Sequence, residues 1–329
     1  MKAVIVSTLA DDLSGISVGT FPDPAPGPDE VLVRMKAVSL NPVDWKLAAG
    51  VAFPGWSLPH VAALDGAGQI EKLGSNVKSW KVGDRVVWHH SLFAGGVCAE
   101  YTVVPSHVLS RIPDGLSDHD AAAVPCAGYT AYQGLVRKAH VQPGQWVVVQ
   151  GASGGVGGFA VQVAALHGAN VIALARPEQE ARVRALGAKH VVDYRIADLP
   201  SVIRALTPGG YGADIMLEVV NPRDARKSLE LLHYNGQLIT TDPLPDLSQT
   251  PAYTYAASIH EVALGGGYGA NHKPTQEDFA AMGDWFMQQL AAKKLSAMIE
   301  HVITMEQVQD YLRKLKAGDI VGKIVVDVG

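Results

Sequence analysis

Gly151-Ala152-Ser153-Gly154-Gly155-Val156-Gly157 is the stretch that decides the fold. The apolar run Trp146-Val147-Val148-Val149 precedes it, and Phe159-Ala160-Val161-Gln162-Val163-Ala164-Ala165-Leu166 follows it. The first run reads as a strand and the second as a helix, so the glycines form the turn between them. A further apolar run, Val171-Ile172-Ala173-Leu174-Ala175, comes after Gly168 and completes a βαβ unit. A glycine turn lets the backbone approach a pyrophosphate, and the helix N-terminus offers unpaired N–H groups and a positive dipole end. That combination is the fingerprint of a dinucleotide site. Glycine-rich turns occur in many loops; the placement between strand and helix makes this one specific. The competing reading is a tight turn with no ligand.

Bulk properties narrow the class. At 329 residues the chain is long enough for two domains. Hydrophobic residues make up 48% and charged residues 18%, which suits a globular enzyme with a large core. The formal net charge of −5 argues against a nucleic-acid or anionic-membrane surface. No run approaches the ~18 apolar residues of a membrane span. Met1-Lys2-Ala3-Val4-Ile5-Val6 is too short for a signal-peptide core and reads as a first strand. The two cysteines, Cys98 and Cys126, build no disulfide framework, and a cytoplasmic location is expected.

The pattern changes along the chain. Residues 1–110 hold short strands and dense turns, among them Pro22-Asp23-Pro24-Ala25-Pro26-Gly27-Pro28, and read as an antiparallel β unit. Ser117 is placed to cap a helix opening at Asp118. Strands and helices then alternate: Val171–Ala175, a helix over 178–186, a strand at 191–193, a strand over 214–220, a helix over 223–232 and a strand at 237–240. Alternation of this kind implies a doubly wound parallel sheet. Phe279, Met282, Phe286 and Leu290 recur at helical spacing, as do Met305, Val308, Leu312 and Leu315, with Gly318 as the stop. The last strand is read over 323–328.

With glycines at 151, 154 and 157 the turn resembles the medium-chain dehydrogenase/reductase superfamily, in its zinc-free NADPH:quinone oxidoreductase branch. The resemblance also rests on Asn41-Pro42-Val43-Asp44-Trp45-Lys46, Asp65-Gly66-Ala67-Gly68, Gly83-Asp84-Arg85-Val86, Ala127-Gly128-Tyr129-Thr130-Ala131-Tyr132 and Gly322-Lys323-Ile324-Val325-Val326. It implies an α/β fold in which a Rossmann doubly wound parallel sheet is inserted in a GroES-like, mostly β catalytic domain. The expected boundaries are 1–123 plus 268–329 for the catalytic domain and 124–267 for the dinucleotide-binding domain. It also implies a homodimer paired through the edge strand near 258–264.

In the zinc enzymes of this superfamily a Cys, a His-Glu pair and a later Cys surround the catalytic metal. Here Asn41 stands at the first position and Leu64-Asp65 at the second; Asn is a poor zinc ligand and Leu is none. Cys126 falls at the later Cys position, and one thiolate cannot hold a catalytic zinc. No metal is therefore expected. His89 and His90 read as a polar strand end, one of them able to line a substrate cleft.

The cofactor expected is NADP(H). The strand after the glycine turn ends in Ala175-Arg176, with arginine where NAD-selective folds carry an acid. By resemblance Tyr194 borders the adenosine phosphate and Thr130 lies near the nicotinamide; Ala152, Ser153, Gly155 and Val156 complete the turn. A lysine of the branch is absent, with Gln179 about where it would stand.

Without a metal, the charge that develops on hydride arrival needs hydrogen-bond donors and a proton source. That favours a quinone or an activated α,β-unsaturated carbonyl over a simple alcohol. By resemblance Asn41 and Asp44 sit at the substrate end, Asn41 as an amide donor and Asp44 as an orienting group, and Tyr129 sits near the nicotinamide, as a proton donor or a core-edge tyrosine. Lys46 and Asp65 are candidates for an ion pair in place of the metal. Trp45, Phe53 and Trp56 either wall an apolar pocket or pack. The alternatives are an enoyl or alkene reductase of the same superfamily, and a homologue of zinc-type alcohol dehydrogenases with a non-catalytic cofactor-binding role. The loops at 45–60, 88–97 and 242–272 hold the choice of substrate.

Overall fold

The computed structural model describes residues 1–50, 57–220, 225–241, 244–248 and 250–329. The chain divides into two compact units, Met1–Tyr129 with Leu264–Gly329, and Thr130–Ala263.

The first unit is built on a seven-stranded sheet. Its strands run in the order Ile299–Ile303, Lys323–Asp327, Glu30–Leu40, Asp65–Leu73, Arg85–His89 and Ser110–Arg111, and Tyr101–Pro105 also pairs with Glu30–Leu40. A three-stranded sheet of Ile16–Thr20, Lys2–Val6 and His60–Val61 completes it. The long central strand needs a close neighbour, and Asp65-Gly66-Ala67-Gly68 supplies it. A Cβ on Gly68 would lie 2.2 Å from the Arg34 carbonyl oxygen, and one on Gly66 would lie 2.7 Å from Met35 Cε and 3.0 Å from the Trp88 ring. The sequence motif is thus a packing requirement. Val33, Met35, Ile70, Val86, Trp88 and Val326 are buried in one core, where each large apolar side chain contributes ~1.5–3 kcal/mol relative to exposure. Trp45 packs against this core.

Antiparallel pairing brings four strand ends to one edge of this sheet. Ser39 faces Asp65, Asp65 faces His89, and Ile324 faces Leu40. The end of Glu30–Leu40, the start of Asp65–Leu73, the end of Arg85–His89 and the start of Lys323–Asp327 therefore lie side by side. The helix Pro42–Ala48 opens there, with Asn41 as its N-cap and Pro42 in its first turn. Ser117 caps Asp118–Ala122 as expected, its side chain accepting from the Asp120 N–H. Lys273–Ala291 and Val308–Ala317 form the two late helices, the second ended by Gly318 at φ +78.

The second unit is a six-stranded sheet in the order His190–Val192, Asn170–Leu174, Trp146–Val149, Ala213–Glu218, Leu232–Thr240 and Ser258–Glu261, all parallel. Trp146–Val149 is the first strand in sequence, and its two neighbours lead away in opposite directions. The glycine turn leaves its C-terminal end, at the switch point where such folds bind ligands. The helix Gly155–Leu166 is buried from Gly157 to Ala164, which explains its near absence of polar residues. Gly168 at φ +79 ends it, with the Ala169 N–H bonded to the Ala164 carbonyl. Gln133–Lys138 winds as a π-helix, which no periodicity argument anticipates.

Candidate functional site

The glycine turn in the second unit fits a dinucleotide on steric grounds. Gly151 has φ +64, a left-handed conformation that favours glycine, and a Cβ there would lie 2.7 Å from Val220 Cγ2. A Cβ on Gly157 would lie 2.1 Å from the Gly151 carbonyl oxygen, so the helix can sit this close to the turn only with glycine. Gly154 is the N-cap, and no side chain caps the helix. The first-turn N–H groups have no intrahelical partner and are left for a ligand. Ser153, Gly154, Gly155 and Val156 are half-exposed, whereas Ala152 and Gly157 are buried and shape the turn from behind.

Arg176 and Tyr194 are brought together from different loops: Arg176 Nε donates to the Tyr194 hydroxyl at 3.4 Å. Arg176 makes no ion pair among the described residues, and the Tyr194 bond holds its guanidinium above the ordinary arginine value. Arg195, whose charge also acts on Arg176, is tied to Asp193 through two nitrogens. Thr130 is buried in the helix Pro125–Tyr132.

One residue here was not anticipated. Glu218 ends its strand buried, accepts from the Val220 N–H at 2.8 Å and from Ser228 Oγ at 2.8 Å, and has the Gln150 amide against it. It braces the residues on either side of Gly151.

At the strand ends of the first unit the polar residues form one buried network. Lys323 Nζ donates to Asn41 Oδ1 at 2.6 Å, and Asn41 Nδ2 donates to Asp65 Oδ2 at 2.7 Å. Asp65 Oδ1 pairs with His89 Nδ1 at 2.9 Å, and the Cys126 N–H bridges both Asp65 oxygens at 2.9 and 3.0 Å. Asp65 is fully buried and Lys323 is 2% exposed. Cys126 lies in the first turn of Pro125–Tyr132, so that helix's N-terminus adds its dipole to the hold on the carboxylate.

Several sequence expectations change here. Asp65 pairs with His89 and Asn41, not with Lys46; Lys323, brought from the far end of the chain, is the cation of the network. Asn41 is not free to donate to a substrate, because Nδ2 serves Asp65 and, at 3.4 Å, the Ser39 carbonyl. Tyr129 is a core residue: it is fully buried beside Phe286, and a methyl on Gly283 would fall 2.4 Å from its hydroxyl. Burial raises its phenol above the ordinary value, which removes it as a proton donor. His89 does end its strand and His90 follows it, but both are buried. Burial pushes His90 down to about 4, and its Nδ1 accepts from Trp88 Nε1. Phe53 and Trp56 lie outside the described residues.

Asp44 behaves as an orienting group. Its Oδ2 accepts from the Asn41 backbone N–H at 2.7 Å and fixes the start of Pro42–Ala48. Burial pushes its carboxyl up to about 8, with Asp65 adding to the rise. Among the described residues its Oδ1 has no hydrogen-bond partner, and Asp44 lines a cavity of about 10 Å³ with His60, Leu47 and Leu64, room for a single water. Cys126 and Cys98 are free thiols, and burial raises both. Among the described residues, no group of three or more His, Cys, Asp or Glu side chains is arranged to hold a metal.

Comparison with known proteins agrees with this geometry. Residues 27–114 match the alcohol dehydrogenase GroES-like domain, and residues 155–285 match the zinc-binding dehydrogenase family. The chloroplastic quinone-oxidoreductase QR1 of Triphysaria versicolor is 32% identical over 261 residues, covering 77% of this chain and 78% of the relative. An alcohol dehydrogenase superfamily protein from Novosphingobium aromaticivorans superposes with a TM-score of 0.90 at 28% identity, over 100% of both chains. The CurK enoyl reductase superposes with a TM-score of 0.87 at 25% identity, over 99% of both. The chain belongs to the medium-chain dehydrogenase/reductase superfamily, in its quinone oxidoreductase branch. It is accordingly an oxidoreductase, and the family implies a nicotinamide cofactor.

Proposed function

We propose that this protein is a zinc-independent, NADPH-dependent reductase of quinones or activated α,β-unsaturated carbonyls. The observation that carries the reading is the Asp65 network. Where the zinc enzymes place ligands, both oxygens of this carboxylate are taken by an asparagine amide, an imidazole and a backbone N–H. Asn41 is a poor zinc ligand and Leu64 is none.

When bound, the nicotinamide supplies hydride. The first-turn N–H groups of Gly155–Leu166 would hold its pyrophosphate, and Arg176 with Tyr194 would hold a 2′-phosphate through charge-assisted bonds. Lys323, Asn41, Asp65 and His89 hold one another in a single arrangement, so the strand ends need no reorganisation when charge develops nearby. Asp44 keeps the helix that starts at Pro42 in register with Asn41. Conjugated carbonyls suit such a site because they spread the developing charge themselves. The likeness to the CurK enoyl reductase supports a second reading, an enoyl reductase, which adds hydride to the same kind of activated alkene.

We further propose a homodimer through the free edge of Ser258–Glu261, the outermost strand of the parallel sheet. We also propose a cytoplasmic location, which suits two free thiols.

The test is NADPH oxidation against a panel of quinones, enals and enones, repeated with NADH and with a chelator. Turnover that prefers NADPH and ignores the chelator is expected. Loss of activity on chelation overturns the zinc-free reading, and cofactor binding without turnover on any acceptor overturns the enzymatic one.

A further inference from the structure

Reduction of a conjugated carbonyl consumes a proton as well as a hydride, and the donors read from the sequence do not supply it. Tyr129 is sealed in the core, both amide hydrogens of Asn41 are engaged, and Asp44 has one oxygen on a helix cap and the other fully buried. His89 is differently placed. Every neighbour of the Asp65 carboxylate is a donor, so the proton of the 2.9 Å contact belongs to His89 Nδ1. Its Nε2 makes no hydrogen bond among the described residues. The side chain is 4% exposed, and the rings of Tyr268 and Phe279 stand 6.4 Å from it, centroid to centroid. A buried imidazole with one nitrogen anchored on a carboxylate and the other unengaged is the arrangement of a proton-transfer residue.

We propose that His89, oriented by Asp65, carries the proton of the reduction and delivers it from Nε2. The proposal rests on the function proposed above. The hydride brings both electrons, so the cofactor is oxidised and the acceptor reduced. The N–H bond at Nε2 breaks and leaves its electron pair on the nitrogen, while an O–H or C–H bond forms on the product. Nδ1–H stays on Asp65 throughout, and solvent returns a proton to Nε2 before the next turnover. The groups that face His89 are few. Asp65 comes from the neighbouring strand, and the Tyr268 hydroxyl donates to the His89 carbonyl oxygen. His90 follows in the chain, and Lys323 stands one residue away through Asn41. Among the described residues, only Asp65 bonds the ring.

Two measurements test this. Side-chain ¹⁵N NMR on the wild-type protein without cofactor should show that His89 keeps its proton on Nδ1 and that Nε2 is the nitrogen that gains and gives up a proton, with the preference lost in Asp65→Asn. In turnover with NADPH, His89→Gln should lower kcat by about a hundredfold. It should also leave NADPH affinity, read by fluorescence titration, unchanged. A wild type that turns over while His89→Gln keeps its kcat overturns the proposal alone. So does a neutral ring protonated at Nε2, which needs no variant to fold. A wild type inert toward every acceptor overturns the underlying function instead, and this proposal with it.

Discussion

Gly154→Ala and Gly157→Ala lie three residues apart in one turn and are expected to fail in different ways. At Gly157 the new Cβ would meet the Gly151 carbonyl oxygen at 2.1 Å, the Gly151 carbonyl carbon at 2.5 Å and Ala152 Cα at 2.9 Å. All three are backbone atoms, and none can rotate away. Relief requires the helix Gly155–Leu166 to retreat from the turn by about 1 Å, since carbon atoms settle at ~3.5–4.0 Å. Such overpacking costs about 1–3 kcal/mol. At Gly154 the nearest atom is the Gly151 oxygen at 3.4 Å, an ordinary contact, and φ is −85. Alanine fits there without strain and costs only a weaker cap, about 0.5–1 kcal/mol. The methyl instead points into the space where the ligand's phosphates would approach. Gly154→Ala should therefore keep nearly all its stability and lose NADPH affinity about tenfold or more, whereas Gly157→Ala should lose both. Urea unfolding gives the stability and fluorescence titration gives the affinity. If Gly154→Ala binds NADPH as the wild type does, the backbone is not approached there and the cofactor argument fails. A Gly157→Ala protein as stable as the wild type refutes the steric argument.

Arg176→Ala should raise KM for NADPH by about tenfold to a hundredfold and leave NADH nearly unaffected, because a charge-assisted hydrogen bond is worth about 1.5–3 kcal/mol; equal losses with both cofactors would refute a 2′-phosphate contact. Asp44 favours the folded protein only while protonated, so its contribution is complete below 3.8 and is lost as pH rises through about 8. Linkage over that interval caps the effect at about 6 kcal/mol, and Asp44→Asn, which keeps an acceptor for the Asn41 N–H, should flatten the fall in unfolding free energy between about pH 6 and 8. An unchanged pH slope in urea titrations would show that Asp44 is ionised throughout. Size-exclusion chromatography should give the mass of a dimer; the monomer mass would exclude pairing through Ser258–Glu261.

The parallel sheet and the turn that starts Gly155–Leu166 were legible in the sequence. Their signals are local: a glycine between an apolar strand and an apolar helix has few other uses. The same holds for the Ser117 cap, the Gly318 stop and the arginine at 176. Each is a property of residues a few positions apart.

The network at the strand ends was not legible in that way. Asn41, Asp65, His89 and Lys323 were all visible, but their partnership spans 282 residues between Asn41 and Lys323. It exists because antiparallel pairing aligns the ends of four strands, and no sequence period encodes that alignment. Lys46 was the nearer cation in sequence and the wrong one. Tyr129 read as a donor because its chemistry permits it; only burial against Phe286 and Gly283 forbids it. Sequence alone determined the dinucleotide turn and the loss of zinc ligands, because residue type and short spacing suffice for both. The tertiary structure decided which side chains are free to act, because hydrogen-bond saturation and burial depend on neighbours brought from across the chain.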